Sequence, residues 1–220
     1  MSVAAMGDVM VKDGACDDRA KLARMACRLN ARHAGGRLGG LVLMTDDTLD
    51  ADWIDAVEAL PRGSCVVVRH RDAASRARLG RLLLAACRRR GVKLIVADDL
   101  KLAHRLGADG VHLPEARMNG VMAVRRANRR WVVTSSAHDG RGLAKVLAQR
   151  PDGVFVSPVF ATASHAGAVG LGVTRFMGLA HRAALPVHAL GGITGSTAQR
   201  LAGLPLAGLA LIRGWVGGTA

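Results

Sequence analysis

From residue 41 onward, short runs of Val, Leu and Ile alternate with longer stretches in which apolar residues recur at helical spacing. Eight runs read as strands: LVLMTD (41–46), CVVVRH (65–70), KLIVAD (93–98), GVHL (110–113), WVVTSS (131–136), GVFVSP (153–158), PVHAL (186–190) and GLALIR (208–213). Their near-continuous apolar character is what strands covered on both faces require. Helices are expected at about 50–60, 73–90, 99–106, 119–128, 139–149, 173–184 and 194–203, with Asp139 and Thr194 as N-caps and Gly91 and Gly107 as C-terminal stops. Alternation with crossovers this short predicts an α/β fold, a single (β/α)8 TIM barrel, over an open doubly wound sheet.

The two ends break the pattern. Residues 1–40 read as an N-terminal extension to a barrel domain at 41–220. Within the extension, 16–33 (CDDRAKLARMACRLNARH) predicts an extra helix over the barrel floor, and the glycine pairs at 35–36 and 39–40 give a flexible lead into the first strand. After the eighth strand only GWVGGTA remains, too short for a full eighth helix, a gap that the leading helix is able to fill.

Composition narrows the classes. A chain of 220 residues that is 50% hydrophobic is long enough to bury one large core. No stretch approaches the roughly 18 apolar residues that span a bilayer, and acidic residues precede any apolar signal core, so a cytoplasmic protein without membrane contact is expected. Cys16, Cys27, Cys65 and Cys87 lie far apart with no metal-ligand spacing, which predicts reduced and mostly buried thiols.

The net charge of +14 raises nucleic acid as a partner. Against it, the densest basic stretch, RHRDAASRARLGRLLLAACRRR, interleaves Arg with Leu and Ala as the solvated face of an amphipathic helix does, and only three Trp and three Phe are available to stack on bases. No nucleic-acid partner is expected; a positive field suits a polyanionic metabolite.

In a barrel of this kind the chemistry sits at the C-terminal ends of the strands. Those ends carry Thr45 and Asp46, Arg69 and Arg71, Asp98 and Asp99, His112, Ser135, Ser136 and His138, Ser157, Thr162, Ser164 and His165, Gly191 and Gly192, and Arg213 and Gly214. Hydroxyls, glycines and arginines on one rim point to an anionic ligand. The most specific segments are SPVFATASHAGAVGLG (157–172) and PVHALGGIT (186–194), a hydroxyl-rich loop and a GG turn able to cradle a phosphate. Of the remaining residues, His33, His104 and His181 read as surface positions, Trp53, Trp131 and Trp215 as packing, and His188 as a packed, hydrogen-bonded histidine. Asp98 and Asp99 also suit a helix cap.

The order VVVRHRD (66–72), KLIVADD (93–99), ADGVHL (108–113), TSSAH (134–138), SPVFATASH (157–165), HALGGI (188–193) and GLALIRG (208–214) resembles the thiamine phosphate synthase and thiazole tautomerase superfamily over roughly residues 41–216. The resemblance implies a transferase that joins a hydroxymethylpyrimidine diphosphate to a thiazole phosphate, releasing pyrophosphate with Mg2+. It implies small phosphorylated pyrimidine and thiazole substrates; a homo-oligomer stays open. Carried over by motif, Arg69 and Arg71 serve the diphosphate, Asp98 the metal and Ser136 the diphosphate, while Thr162, Ser164, Gly191, Gly192, Ile212 and Arg213 surround the thiazole phosphate.

The chain departs from the family pattern at several points. Ala97 replaces an asparagine, Val67 a glutamine, Arg71 a lysine and His165 a lysine beside the second hydroxyl. The second metal carboxylate expected shortly after the VHL strand is missing, and HLPEARM offers only a displaced Glu115. The phosphate side therefore matches better than the diphosphate side. That asymmetry keeps open a tautomerase-like isomerase using His138 as acid and base, and a non-catalytic binder of thiazole or thiamine phosphate. The 157–193 region also resembles the synthase-like domain fused behind some bacterial Nudix hydrolases, without any Nudix glutamate box here.

Overall fold

A computed structural model describes residues 3–32, 36–162 and 169–217, with side chains in the first helix described from Asp17 onward. Eight parallel strands close into a barrel in sequence order: β1 (Leu41–Met44), β2 (Cys65–Val68), β3 (Lys93–Ala97), β4 (Gly110–Leu113), β5 (Val132–Ala137), β6 (Gly153–Val156), β7 (Val187–Leu190) and β8 (Gly208–Leu211). The ring shuts where Val42 of β1 pairs with Ala210 of β8. Each expected strand is present; β1, β2, β3, β6 and β8 stop one or two residues short of the expected C-terminal end, where the rim loops begin, β4 has the expected bounds, β5 is shifted by one residue and β7 starts one residue later.

The helices are α1 (Val3–Arg32), α2 (Trp53–Glu58), α3 (Ala73–Arg90), α4 (Leu100–Leu106), α5 (Val121–Ala127), α6 (Gly140–Gln149), α7 (Gly172–Arg182), α8 (Gly195–Ala198) and α9 (Arg213–Val216). Local chemistry sets their ends. Asp72, Asp99 and Asp139 cap α3, α4 and α6 by accepting backbone N–H groups, and Thr194 forms a reciprocal capping box with Thr197. Gly91 and Gly107 end α3 and α4 in left-handed conformation. Of the Asp98–Asp99 pair, Asp99 alone is the cap.

Two layers of apolar packing follow from strand alternation. Outward residues such as Leu43, Val66, Leu94, Val111 and Val154 meet the helices, whereas Val42, Met44, Val67, Ile95, Phe155 and Ala210 fill the barrel. Leu38, fully buried among the interior residues, closes the floor, and its carbonyl accepts a bond from the Cys65 thiol.

The leading helix differs from expectation. It starts well before residue 16, and it packs against α8, α9, β8 and β1 on the side of the barrel rather than over its floor. Leu22, Ala26 and Leu29 are its buried face. The short α9 is pinned by Trp215, whose Nε1 donates to the Ala56 carbonyl at 2.8 Å, while Arg19 of α1 donates to the Trp215 carbonyl at 2.8 Å. All three tryptophans are buried packing residues. Cys65 and Cys87 are buried thiols pushed up to about 12 by burial, and Cys27 is exposed.

Candidate active site

Above the C-terminal strand ends lies a pocket of about 350 Å³, within the range of small-molecule sites. Arg69, Arg71, Asp98, Ser136, His138, Thr162, Gly191 and Ile212 all line it. A smaller recess of about 20 Å³ shares the Thr162, Gly191 and Ile212 wall and adds Gly192, Arg213 and Gly214. Ser164 and His165 lie outside the described residues.

The basic side of the pocket is built by the first three strand ends. Thr45 Oγ1 accepts from the Arg69 N–H at 2.9 Å, and Asp47 from the Arg71 N–H at 2.9 Å. The loop after β1 thus holds the backbone of the loop after β2. Arg76, in the first turn of α3, donates to the His70 carbonyl at 2.6 Å and pairs with Asp99 at 3.4 Å, and its buried Nε has no partner among the described residues. Burial, the largest influence, holds His70 below the ordinary imidazole range. Arg76 escaped the sequence reading because it belongs to an arginine-rich helix whose other arginines, Arg78, Arg81 and Arg88 to Arg90, are exposed. Its signal was position, one helical turn beyond the Arg69–Arg71 loop.

Asp98 sits in left-handed backbone (φ 54°), its N–H bonded to the His112 carbonyl at 2.9 Å. Arg117, in the 3-10 turn Glu115–Gly120 after β4, places Nη1 3.0 Å from Oδ1 and 3.1 Å from Oδ2 of Asp98. Glu115 accepts from the His138 N–H at 3.0 Å. Among the described residues no group of three His, Cys, Asp or Glu comes together as a cation site.

The far wall is a hydroxyl and imidazole network. His112 is buried inside the barrel, with Thr134 Oγ1 at 2.9 Å from Nδ1 and Ser136 Oγ at 3.1 Å from Nε2. Burial, then the nearby Arg69 charge, pushes His112 down to about 3, so the ring is neutral and orients Ser136. The sequence placed His112 on the rim without a role; its signal was an imidazole interrupting an otherwise apolar strand. His138 donates Nδ1–H to the Ser157 carbonyl at 2.9 Å, which fixes the orientation of its ring.

The recess depends on two glycines. Gly191 (φ 96°) and Gly192 (φ 64°) adopt left-handed backbone, and a Cβ there would lie 2.8 Å from Pro158 Cα or 2.4 Å from the Ala161 carbonyl oxygen. Bare backbone therefore forms the wall beside the loop after β6. The Arg213 guanidinium reaches Thr48 Oγ1 at 3.4 Å, and its buried Nε has no partner among the described residues. An unpaired cationic donor beside bare backbone and Thr162 has the chemistry to bind a dianionic phosphate.

A family model described as thiamine monophosphate synthase matches residues 41–215. The chain is 33% identical over 171 residues to the thiamine-phosphate synthase of Thioalkalivibrio sulfidiphilus, covering 74% of this chain and 81% of that one. It is 37% identical over 167 residues to the thiamine-phosphate synthase of Aromatoleum aromaticum, covering 72% and 79%. The fold is similar to that of thiamine phosphate pyrophosphorylase from Pyrococcus furiosus (TM-score 0.66, 19% identity, 79% of this chain and 85% of that one). A barrel whose strand ends carry these motifs, matched over nearly its whole length, belongs to the thiamine monophosphate synthase family.

Proposed function

We propose that the chain is a transferase of thiamine biosynthesis in the cytoplasm, coupling hydroxymethylpyrimidine diphosphate to thiazole phosphate. The observation that carries this reading is one pocket with two anion-binding sides: the Arg213–Gly191–Gly192 recess, and the Arg69–Arg71–Arg76 wall across from it. In the reaction the bond from the pyrimidine methylene carbon to the diphosphate oxygen breaks and its electron pair leaves with pyrophosphate. The thiazole nitrogen lone pair then forms the new C–N bond, giving a thiazolium without net proton transfer.

The roles follow from charge. Arg69 and Arg71, with their backbone held by Thr45 and Asp47, face the charge that grows on the leaving pyrophosphate, where fixed donors act most strongly. Ser136, oriented by neutral His112, adds a hydroxyl to the same group. Thr162, the glycine turn and Arg213 hold the thiazole phosphate, and Ile212 gives the ring an apolar edge. Ser164 is assigned to the same phosphate by motif, and His165, in the place of the family's lysine, to the catalytic residues. The family works with Mg2+, which the residues present here do not fit: Asp98 faces Arg117, while Asp47 and Glu115 accept backbone N–H groups.

Incubating the purified protein with both substrates and following pyrophosphate release and thiamine phosphate formation tests the reading. Turnover is expected. Thiazole phosphate binding without turnover would instead favour a carrier. The fixed Nδ1–H of His138 supports a second reading, isomerisation of a thiazole phosphate tautomer, checked with that tautomer alone and with His138→Ala.

A further inference from the structure

Neutralising a diphosphate requires cationic charge at the Asp98 corner of the pocket, and the chain supplies it in an unexpected form. The turn after β4, where the family resemblance places a second metal-binding carboxylate, brings Arg117 against Asp98 instead, from just outside the pocket wall that Asp98 lines. Its Nη1 donates to Asp98 Oδ2 at 3.1 Å and lies at the ion-pair distance of 3.0 Å from Oδ1, which is buried and accepts no hydrogen bond among the described residues; from there the guanidinium neutralises that carboxylate. Asp98 is presented to it by a left-handed backbone tied to β4. The other acids nearby are engaged: Asp47 by the Arg71 N–H, Glu115 by the His138 N–H, and Asp99 by the Leu102 N–H and Arg76.

Arg117 also keeps donors in hand. Nη1 is its only side-chain atom with a partner among the described residues, so Nε–H and the Nη2 hydrogens remain for a ligand. Arg76 adds a buried Nε–H without a partner on the same side of the pocket. A guanidinium binds phosphate oxygens in planar, bidentate fashion and keeps its charge at any physiological pH.

We propose that the Arg117 guanidinium, seated on Asp98, takes the position of the divalent cation, so that this chain binds the diphosphate group through arginines and without Mg2+. The inference rests on the synthase reading above and specifies how its leaving group is held. Arg117 and Asp98 form a fixed pair, with the carboxylate positioning the guanidinium and the guanidinium bridging to a non-terminal or terminal phosphate oxygen. A protein of this kind would discriminate a diphosphate ester from a monophosphate by the number of guanidinium groups engaged.

Calorimetric titration with inorganic pyrophosphate, in EDTA and again with excess Mg2+, tests this directly. Binding in EDTA is expected, with an affinity within about twofold of that in Mg2+. Arg117→Ala should weaken the EDTA binding on the order of tenfold, the loss of one charge-assisted contact. Arg117→Asp should remove binding in EDTA and restore it with Mg2+, and in electron paramagnetic resonance it should take up Mn2+ that the unaltered protein leaves free. The side chain is 61% exposed, so both variants are expected to fold, which thermal unfolding checks. Pyrophosphate bound by the unaltered protein only when Mg2+ is present would overturn the role of Arg117 while leaving the synthase reading intact. An unchanged affinity in Arg117→Ala would do the same. Pyrophosphate bound under neither condition would overturn the diphosphate site itself, and with it the proposed reaction.

Discussion

Arg213 is held at the rim by one long contact to Thr48, and its buried Nε has no partner among the described residues. Folding thus leaves a cationic donor desolvated and unpaired, an unfavourable state that a phosphate in the proposed recess would relieve. Arg213→Leu is expected to raise the KM for thiazole phosphate by roughly 10- to 100-fold, the value of one or two charge-assisted bonds, with a smaller effect on the pyrimidine substrate. The same change should leave the thermal midpoint equal or higher, because the unpaired group is gone. Steady-state kinetics with each substrate varied in turn, alongside thermal unfolding, checks both expectations. Residues of this kind were legible in the sequence because they end strands: Arg69, Asp98, Ser136, Gly191 and Arg213 were located by position, their roles were inferred from the family resemblance, and all five line the rim pocket or its recess. Arg76 and Arg117 were not located in this way. One lies in a helix and the other in a 3-10 turn, and only the closed barrel brings their guanidinium groups over the neighbouring strand end.

Helices and strands show the same division between local and distant causes. Strand positions were readable because burial on both faces leaves an unbroken apolar run, and α3 begins and ends where Asp72 and Gly91 dictate. The turn before α5 was not readable, since Pro114 opens a 3-10 turn that supplies Glu115 and Arg117 to the rim. The leading helix was placed but cut short, because its early residues lack a clear apolar stripe. Its packing against α8, α9, β8 and β1 was only a suggestion in the sequence. Leu29, fully buried in that seam, should therefore behave as a core residue of the barrel. Leu29→Ala is expected to destabilise the protein by about 2–5 kcal/mol in chemical denaturation, with one cooperative transition retained.

The whole molecule carries a pH dependence set along the barrel interior. His112 stacks on Phe155 with centroids 5.0 Å apart, and Phe155 meets the ring of His188 edge-on at 5.9 Å. His188 donates Nε2–H to the Gly39 carbonyl at 2.8 Å, and burial pushes it down to about 4, as burial pushes His112 down to about 3. Unfolded, both would titrate near 6.5, so below that pH the unfolded chain binds protons that the folded barrel refuses. Stability from this source is complete above 6.5 and is lost as the pH falls toward 4 and then 3. Denaturation at about pH 4.5 should give on the order of 2 kcal/mol less per histidine than at neutral pH. His188→Gln, which keeps a donor for Gly39, should reduce the slope in that window by one proton.

The pairing of β1 with β8 has a consequence for how the protein is made. Residues 41–44 leave the ribosome long before residues 208–211, and until those arrive β1 offers a bare edge of backbone donors and acceptors. The open side of α1 waits for α8, α9 and β8 over the same interval. Strands β2 to β7 pair with both of their neighbours in sequence; β1 and β8 pair with each other across the closure, so the first strand finds its second partner last. The nascent chain is then most exposed to aggregation while its β2 to β7 wall is already built, and the final strand both completes the sheet and removes that hazard.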